Sequence, residues 1–309
     1  MAANIFLGAR QGQRPPSSNP NSRRIMSKFL KFILDEVFYN GHFQTWGSLA
    51  IVIFSSQLLH VNITWDLLLI VYLLFYLIYL KDRYYDIDID SLTNQHRSRH
   101  IRNIYKYIPY VIFCGVTTLT ALLYFFSNFS AFIFIIAVGV FGFLYGSHLK
   151  KATAIIPCFK NICVALVFAV LVFLPAIYYG VFATTWLVIL SATVIFVRGL
   201  MMQFFLDLKD IEGDKKNKLK TLPVLWGREK VYNLINVLNF STALFFPVLY
   251  FAAPGLGVGA PMFFLAGLAL VDSYYLNMIR KGNLFGYVLV GGEFISWPIL
   301  VYLGKFIIF

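Results

Sequence analysis

Long apolar stretches, separated by short polar loops, follow one another along nearly the whole chain. Most hold about 20 residues, which is long enough for a helix to cross roughly 30 Å of hydrocarbon. Because lipid offers no hydrogen-bond partners to open strand edges, we expect an all-α, polytopic membrane helical bundle. The pattern predicts about nine transmembrane helices, at 44–62, 64–81, 104–126, 129–147, 157–179, 183–206, 231–252, 260–279 and 284–306. The segment from Lys28 to Phe43 is expected to form an interfacial helix ahead of them.

The loops between these stretches differ in charge. If nine spans alternate, 24 of the 26 Lys and Arg residues fall on one side of the membrane, and the loops on the other side contain none. Cytosolic loops are the ones enriched in these residues. The distribution predicts a cytosolic amino terminus, cytosolic loops after the second and sixth spans, and a carboxyl terminus on the opposite side.

Composition supports a membrane protein and narrows its partners. Of the 309 residues, 59% are hydrophobic, which is more apolar surface than a soluble domain can bury. The net charge of +12 belongs to one face, which suits anionic membrane lipids and phosphorylated substrates. Nucleic-acid binding is not expected, because the basic residues are scattered over short loops.

The predicted domains are a tail and a membrane domain. Residues 1–28 hold basic side chains among Pro, Ser, Asn and Gly, and we expect a disordered, basic cytosolic tail. A transit peptide and a translation start at Met26 are the alternatives. Residues 29–309 form the membrane domain, in which any chemistry takes place.

The first of two acidic segments follows the second predicted span. It contains Asp82, Asp86, Asp88 and Asp90. On a helix that turns about 100° per residue, Asp82, Asp86 and Asp90 fall within an arc of roughly 80°, and Asp88 points elsewhere. Three carboxylates on one stripe repel one another unless cations neutralise them.

The second acidic segment follows the sixth predicted span. Asp207, Asp210 and Asp214 share one helix face if the helix continues past Gly213, and Gln203 lies one turn before them. The two segments together contain eight of the 14 acidic residues, and both lie on the basic side. The alternative is that these acidic residues only mark two solvated helix ends. That alternative does not explain why so many of the acidic residues lie in two short segments.

Two such carboxylate stripes predict a site for Mg²⁺ and a diphosphate. Mg²⁺ prefers oxygen ligands and is commonly shared between carboxylates and substrate phosphates. Neutralising a departing pyrophosphate lowers the barrier to breaking its carbon–oxygen bond, and an allylic chain can bear the resulting positive charge. Aromatic rings stabilise such a cation, although packing is the default role for those near the acidic segments, which are Tyr84, Tyr85, Tyr145, Phe204 and Phe205.

With this pair of acidic motifs, residues 40–305 resemble the UbiA superfamily of intramembrane prenyltransferases. The first family motif is NxxxDxxxD, in which Asp82 here replaces the leading Asn, and the second is DxxxD or DxxDxxxD. The resemblance implies Mg²⁺ as the cofactor and Asp82 as a metal ligand. It further implies a combined metal-binding and catalytic role for the other five carboxylates, which are Asp86, Asp90, Asp207, Asp210 and Asp214.

The resemblance also implies side chains that hold the diphosphate. The candidates are polar or basic residues near the two motifs and in the loops beside the fourth and fifth spans, namely Arg97, Lys150, Lys160, Asn161, Gln203, Lys216 and Lys220. Arg99 or Arg102 is an alternative to Arg97. For each basic residue, the general enrichment of cytosolic loops in Lys and Arg is an equally good explanation.

Three charged residues fall well inside predicted spans, away from the span ends: Arg198, Asp272 and Glu293. An ionised group at this depth is costly and usually faces a cavity or a partner. Glu293 is therefore the first candidate for a functional residue within the spans. Arg198 and Asp272 are further candidates, with a structural ion pair as the alternative.

The resemblance thus implies a Mg²⁺-dependent prenyltransferase that joins a polyprenyl diphosphate donor to a lipophilic acceptor, either an aromatic quinone precursor or a polar lipid headgroup. An intramembrane terpene cyclase would ionise the same donor without an acceptor. A lipid or ion transporter is the alternative from another class, but it favours acidic residues near the bilayer midplane and an internal repeat, neither of which the motifs show.

Overall fold

A computed structural model describes residues 31–88, 91, 94–147, 149–181, 185–252, 261–282 and 285–304. Within these ranges all regular structure is helical, which confirms the all-α fold class. The expected tail at 1–28 and Asp90 lie outside the described residues. The first helix, α1, covers 31–39. The helices that follow are α2 (His42–Leu58), α3 (Trp65–Tyr85), α4 (Gln95–Ile104), α5 (Ile108–Phe126), α6 (Phe129–Ser147), α7 (Phe159–Leu171), α8 (Leu174–Tyr179), α9 (Thr185–Lys216), α10 (Leu222–Trp226), α11 (Arg228–Ala252), α12 (Pro261–Arg280), α13 (Phe285–Gly291) and α14 (Glu293–Gly304).

Each predicted span contains at least one helix, and two of the spans are divided. The fifth consists of α7 and α8, and the ninth consists of α13 and α14, which meet at an angle of 54°. Among the described residues, four helical segments are long and apolar enough to cross a membrane, or five if the bent pair is one span. The chain is therefore an integral membrane protein with several apolar helices, and the number of nine spans stays a prediction.

The packing of the bundle places α3 and α9 at its centre. One face of α3 buries an apolar stripe with helical spacing, while α9 packs against α7 and α11. By contrast, α5 and α6 bury only 17% of their apolar windows and expose many large apolar side chains. Such faces suit contact with lipid. The two helices that carry the acidic motifs are thus held by neighbours on several sides.

Three glycines on α6 allow it to approach α3 closely. A Cβ atom added to Gly139 would lie 3.2 Å from Leu74, one added to Gly142 would lie 2.5 Å from Ile78, and one added to Gly146 would lie 3.0 Å from Asp82 Oδ1. Small residues of this kind let membrane helices pack backbone to backbone. The last of them brings the α6 backbone against the first acidic motif.

The helix at 31–39 is docked on the bundle, in agreement with the helix expected from Lys28 to Phe43. The buried Arg83 guanidinium of α3 donates hydrogen bonds to the carbonyls of Phe38 (3.2 Å) and Tyr39. Glu36 lies 3.1 Å from His100 Nε2 of α4. Hydrogen bonds from His100 and His42 hold the pKa of Glu36 well below its ordinary value, although partial burial opposes them.

Candidate active site

The second acidic motif lies on one continuous helix. α9 continues to Lys216, past Gly213, so Asp207, Asp210 and Asp214 occupy one side of its final turns. The Asp207 and Asp214 residues are only 4% and 6% exposed. Buried carboxylates are costly unless other groups neutralise and hydrogen-bond them. The motif must therefore have partners from neighbouring helices.

These partners come from the first turn of α7. Lys160 Nζ lies 2.9 Å from Asp207 Oδ1 and 2.9 Å from Asp214 Oδ2, so one ammonium group bridges two carboxylates. Asn161 Nδ2 donates a 2.8 Å hydrogen bond to the other oxygen of Asp207. The Thr153 hydroxyl oxygen accepts a hydrogen bond from the Lys160 backbone N–H at 3.0 Å, which positions the start of α7.

The helix that carries the first acidic motif ends within the motif. α3 ends at Tyr85, and Asp86 is the capping residue, whose backbone N–H donates to the Asp82 carbonyl at 2.9 Å, so Asp86 lies one turn beyond Asp82 at the end of the helix. The chain bends here because Ile87 is buried with Ile101 of α4 in a small apolar cluster. The Asp86 carboxylate forms an ion pair with Lys150. The position of Asp90 lies outside the described residues.

Asp82 has an oxygen without a partner. Its Oδ1 atom is buried and makes no hydrogen bond in the described part of the chain, and the same is true of Asn161 Oδ1. Buried polar atoms are normally satisfied, so each unsatisfied atom in a native structure needs an explanation. A metal ion is one kind of ligand that would satisfy a carboxylate or amide oxygen of this kind.

Tyr145 on α6 lies within electrostatic range of both acidic motifs. The charges of Asp82, Asp207 and Asp86 all act on the Tyr145 hydroxyl, so both acidic motifs lie close to this side chain. We read Tyr145 from the sequence as one of several packing aromatics. The available signal was its position near Lys150 at the cytosolic end of a span, but in a chain with 19 Tyr residues that signal is weak.

An apolar cavity lies below Asp82. It lies between α3, α6 and α7, and Asp82 and Tyr145 stand at its polar end. The other lining side chains are mainly apolar, among them Phe75, Ile78, Cys163, Val167 and Phe168. Phe75 lies seven residues before Asp82 on α3, so the cavity extends roughly 10 Å along the helix from the carboxylate. The arrangement suits an elongated apolar group with a charged head.

Several of the predicted diphosphate-binding residues lie elsewhere or have other contacts. Arg97 of α4 is close enough to Asp210 for their charges to interact, which supports its assignment to the site. Arg102, the alternative to Arg97, instead pairs with Asp88 at 2.7 Å. The side chain of Gln203 on α9 makes no hydrogen bond to another described residue.

The two lysines of the later loop differ from the other basic candidates. Lys216 is exposed at the end of α9. Lys220 Nζ donates to the Ile155 carbonyl at 3.2 Å, and the Lys220 backbone N–H donates to the Thr153 carbonyl at 2.9 Å. These bonds join the loop after α9 to the segment before α7. Lys220 therefore has a structural role in this conformation.

The charged residues within the spans form a separate cluster. Arg198 donates to Glu293 Oε1 at 2.8 Å and forms an ion pair with Asp272, and all three side chains are buried. Arg198 and Asp207 are nine residues apart on α9, which places them on opposite sides of the helix. The geometry supports the structural interpretation of these three residues, in which α9 is linked to α12 and α14.

The donor set fits Mg²⁺ shared with a substrate. Within the described ranges, no three acidic, histidine or cysteine side chains converge tightly enough to hold an ion by themselves. However, Mg²⁺ usually takes only one or two carboxylates and completes its shell with water and phosphate oxygens. The carboxylates of both motifs would hold the ion, namely Asp82, Asp86, Asp207 and Asp214. The unpartnered oxygens Asp82 Oδ1 and Asn161 Oδ1 are available for this role.

A membrane helical bundle with two acidic helix ends above an apolar cavity is typical of intramembrane prenyltransferases. Residues 44–283 match the sequence model of the UbiA prenyltransferase family, and the chain belongs to this family. Its resemblance to the family is thereby confirmed.

Curated relatives carry a common description. The chain is 30% identical over 192 residues to the digeranylgeranylglyceryl phosphate synthase of Thermococcus sibiricus, a match that covers 62% of this chain and 66% of the relative. It is 27% identical over 199 residues to the protein of the same description from Pyrococcus furiosus, with 62% and 65% covered. The chain thus spans just under two thirds of the length of these relatives.

Solved structures share the fold. The apo structure of a UbiA homologue from Aeropyrum pernix has a TM-score of 0.64 at 16% identity and covers 85% of this chain and 97% of that chain. A UbiA homologue from Archaeoglobus fulgidus, bound to DMAPP and Mg²⁺, has a TM-score of 0.57 at 14% identity, with 86% and 98% covered. At these identities the likeness defines the architecture alone.

Proposed function

We propose that this protein transfers a prenyl group from a prenyl diphosphate to a lipophilic acceptor and releases pyrophosphate. The observation that carries the proposal is that Asp82 and Tyr145 stand at the polar end of an apolar cavity, with the charges of both acidic motifs acting on Tyr145. A charged head and a long apolar tail need these two environments side by side. Family membership supports the same reaction class.

Mg²⁺ is the proposed cofactor, and it would neutralise the charge that develops on the departing diphosphate. Asp82, Asp86, Asp207 and Asp214 provide the carboxylate oxygens that hold it, and Asp210 and Asp90 complete the motifs. A homologue of the same fold is described as bound to DMAPP and Mg²⁺, which supports this assignment. The chain's own part in the reaction is to hold these oxygens in place before the substrate arrives.

Basic side chains would orient the diphosphate. Lys150 and Lys160 lie at the two motifs, and Arg97 lies near Asp210. Their charges would bind the phosphate oxygens and keep them in position while the carbon–oxygen bond of the donor breaks. The electron pair of that bond leaves with the pyrophosphate. The acceptor then supplies the electrons for the new bond to the prenyl carbon and loses a proton.

The apolar cavity would hold the prenyl chain and exclude water from it. Phe75 and Phe168 lie on its walls, and Tyr145 lies at the level of the carboxylates, where positive charge would develop on the prenyl carbon. An aromatic ring beside that carbon would stabilise the charge through its π electrons. Exclusion of water favours transfer to the acceptor over hydrolysis.

For the acceptor, we favour a polar lipid headgroup over an aromatic quinone precursor. The curated relatives are described as digeranylgeranylglyceryl phosphate synthases, a name that implies a glycerol phosphate lipid. The basic face of the chain suits a phosphorylated acceptor held at the membrane surface. The cytosolic orientation of the acidic loops and of the amino terminus belongs to this proposal.

The test is pyrophosphate release by purified protein in detergent from donors of increasing length. Each donor is supplied with and without Mg²⁺ and with glycerol phosphate lipids or aromatic acceptors. Asp86→Ala and Asp207→Ala are compared with Glu212→Gln, an exposed acid in the same segment. We expect Mg²⁺-dependent release that both alanine variants lose and the control keeps, together with a prenylated lipid product. A cyclised product without acceptor, or ion flux without pyrophosphate release, would contradict the proposal.

A further inference from the structure

Both acidic motifs are paired with a lysine. Lys150 contacts Asp86, while Lys160 bridges Asp207 and Asp214. The Lys160 contact is the more enclosed, since the three side chains are 11%, 6% and 9% exposed. The ammonium group therefore lies between the same carboxylate oxygens that the proposed function assigns to Mg²⁺.

The Lys160 bridge has a physical cause. Two carboxylates that lie two turns apart on one buried helix face and approach the same point repel one another, and the repulsion is strong where water is excluded. One ammonium group that touches both of them offsets the repulsion and replaces part of their lost hydration. Without a cation of some kind, the folded conformation of this helix end would carry an uncompensated buried charge.

A metal ion and the ammonium group cannot occupy the same position between these two carboxylates. Mg²⁺ requires near-ideal octahedral geometry at about 2.0–2.1 Å, so it cannot share the position of Lys160 Nζ. Displacing the ammonium into apolar surroundings would be costly unless it met another anion. The diphosphate of the donor is such an anion, and a lysine side chain is long enough and flexible enough to change partners.

We propose that Lys160 is an exchangeable counter-ion that makes metal and diphosphate bind together. Without ligands it bridges Asp207 and Asp214; when metal and diphosphate arrive, it releases these carboxylates to the metal and binds phosphate oxygens instead. The proposal rests on the function proposed above. It adds that each ligand binds weakly by itself. The metal alone leaves Lys160 without a partner, and the diphosphate alone leaves the carboxylates without one.

The exchange predicts a positive coupling between the two ligands, and coupling between sites is reciprocal. Removing the ammonium should have opposite effects on the two ligands. Metal alone should bind more tightly, because nothing competes for the carboxylates. The metal should strengthen diphosphate binding by less than in the wild type, because the Lys160 ammonium group that would move to the phosphate oxygens has been lost. A lysine with a purely structural role would instead weaken both.

The experiment measures Mn²⁺ binding by electron paramagnetic resonance on the full chain in detergent, with and without inorganic pyrophosphate. Signals of the Mn²⁺–pyrophosphate complex in protein-free solution are subtracted. The variants are Lys160→Met and Lys160→Gln, of which the second keeps a hydrogen-bond donor for Asp207. Lys215→Met is the matched control, because Lys215 is an exposed lysine that lies 3.6 Å from Glu212. Thermal unfolding with and without Mn²⁺ reports whether each variant is folded.

We expect pyrophosphate to strengthen Mn²⁺ binding by the wild type on the order of tenfold or more. In both Lys160 variants, Mn²⁺ alone should bind several-fold more tightly, it should raise the unfolding temperature by more than in the wild type, and the gain from pyrophosphate should shrink. Lys215→Met should match the wild type. Weaker or unchanged Mn²⁺ binding in the Lys160 variants, with coupling intact in the wild type, overturns the exchange and leaves the proposed function standing. Absence of Mn²⁺ binding by the wild type with pyrophosphate overturns both.

Discussion

Asn161 Nδ2 donates a 2.8 Å hydrogen bond to Asp207 Oδ2, although the two residues are 46 positions apart. Lys160 contacts the other Asp207 oxygen, so adjacent residues at the start of α7 hold both atoms of one carboxylate. A carboxylate fixed in this way cannot rotate freely. The second acidic motif is therefore oriented from α7 as much as from its own helix, and substitutions in α7 should alter it.

Asp207→Asn should abolish most of the activity and leave the protein folded. The amide has nearly the same shape, but it removes the charge that pairs with Lys160 and that is proposed to hold the metal. We expect pyrophosphate release to fall by about 10²–10³-fold, as for the loss of one group that stabilises transition-state charge. Single-turnover assays across Mg²⁺ concentrations measure this. Glu212→Gln, an exposed carboxylate of the same segment, should retain wild-type rates.

Val167→Trp should shorten the range of donors that the protein accepts. Val167 lines the apolar cavity below Asp82, and an indole there would occupy the space proposed for the prenyl chain. Rates with long donors should fall at least tenfold more than the rate with a five-carbon donor. The matched control is Leu166→Trp, because Leu166 is the preceding residue on α7 and is 47% exposed on its outer face. An equal loss with every donor would contradict a role in chain length.

Periodicity and charge predicted much of this molecule. The apolar stretches gave a helix for each predicted span, because each must satisfy its own backbone in lipid. The acidic segments indicated the carboxylates that meet at the site. What the pattern could not predict was the partner of each charge. Lys160 contacts carboxylates 47 and 54 positions away, and such pairs depend on how α7 and α9 pack rather than on spacing within either helix.

Two predictions about local structure show the same limit. The expected stripe of Asp82, Asp86 and Asp90 assumed a continuous helix, but α3 ends at Tyr85 with Asp86 as its cap, Ile87 is buried against α4, and Asp90 lies outside the described residues. In contrast, α9 continues past Gly213, where a helix end was an open alternative. In both cases the position of the helix end depends on packing against other elements, which local helix propensity does not describe.

Arg198→Met should strongly destabilise the bundle. The guanidinium is the cation between Asp272 and Glu293, and it also donates to Asn239 at 2.8 Å. Its removal leaves two buried carboxylates without a counter-charge, which typically costs about 3–5 kcal/mol. Thermal unfolding in detergent measures the loss. The triple variant Arg198→Met, Asp272→Asn, Glu293→Gln removes all three charges and should recover most of the stability. No recovery would mean that shape, not charge, is what Arg198 provides.

Glu36 should stabilise the docked helix at 31–39 in a pH-dependent way. Hydrogen bonds from His100 and His42 lower the pKa of Glu36 in the folded protein. A lowered pKa means that the contribution is fully present above the unfolded value, about 4.3, and is lost as the pH falls towards the folded value. The difference in unfolding temperature between wild type and Glu36→Gln should stay constant from pH 7 to about 5 and then shrink on further acidification. A difference that grows in acid would contradict this sign.

Gly146→Ala should weaken metal binding without disturbing the fold. A Cβ atom at this position would lie 3.0 Å from Asp82 Oδ1, a separation that forces either the carboxylate or the α6 backbone to shift by a few tenths of an ångström. The side chain is the easier of the two to move, and Asp82 has no hydrogen bond on this oxygen to resist the shift.

Because Asp82 is a proposed metal ligand with strict geometry, even a small displacement should lower Mg²⁺ affinity by about tenfold. The Mg²⁺ dependence of pyrophosphate release should therefore move to higher concentration, with little change in the rate at saturation. Gly139→Ala on the same stripe is the control, since its Cβ would lie 3.2 Å from Leu74 and far from the carboxylates. If both variants shift the Mg²⁺ dependence equally, the effect comes from helix packing, and Asp82 is not a ligand.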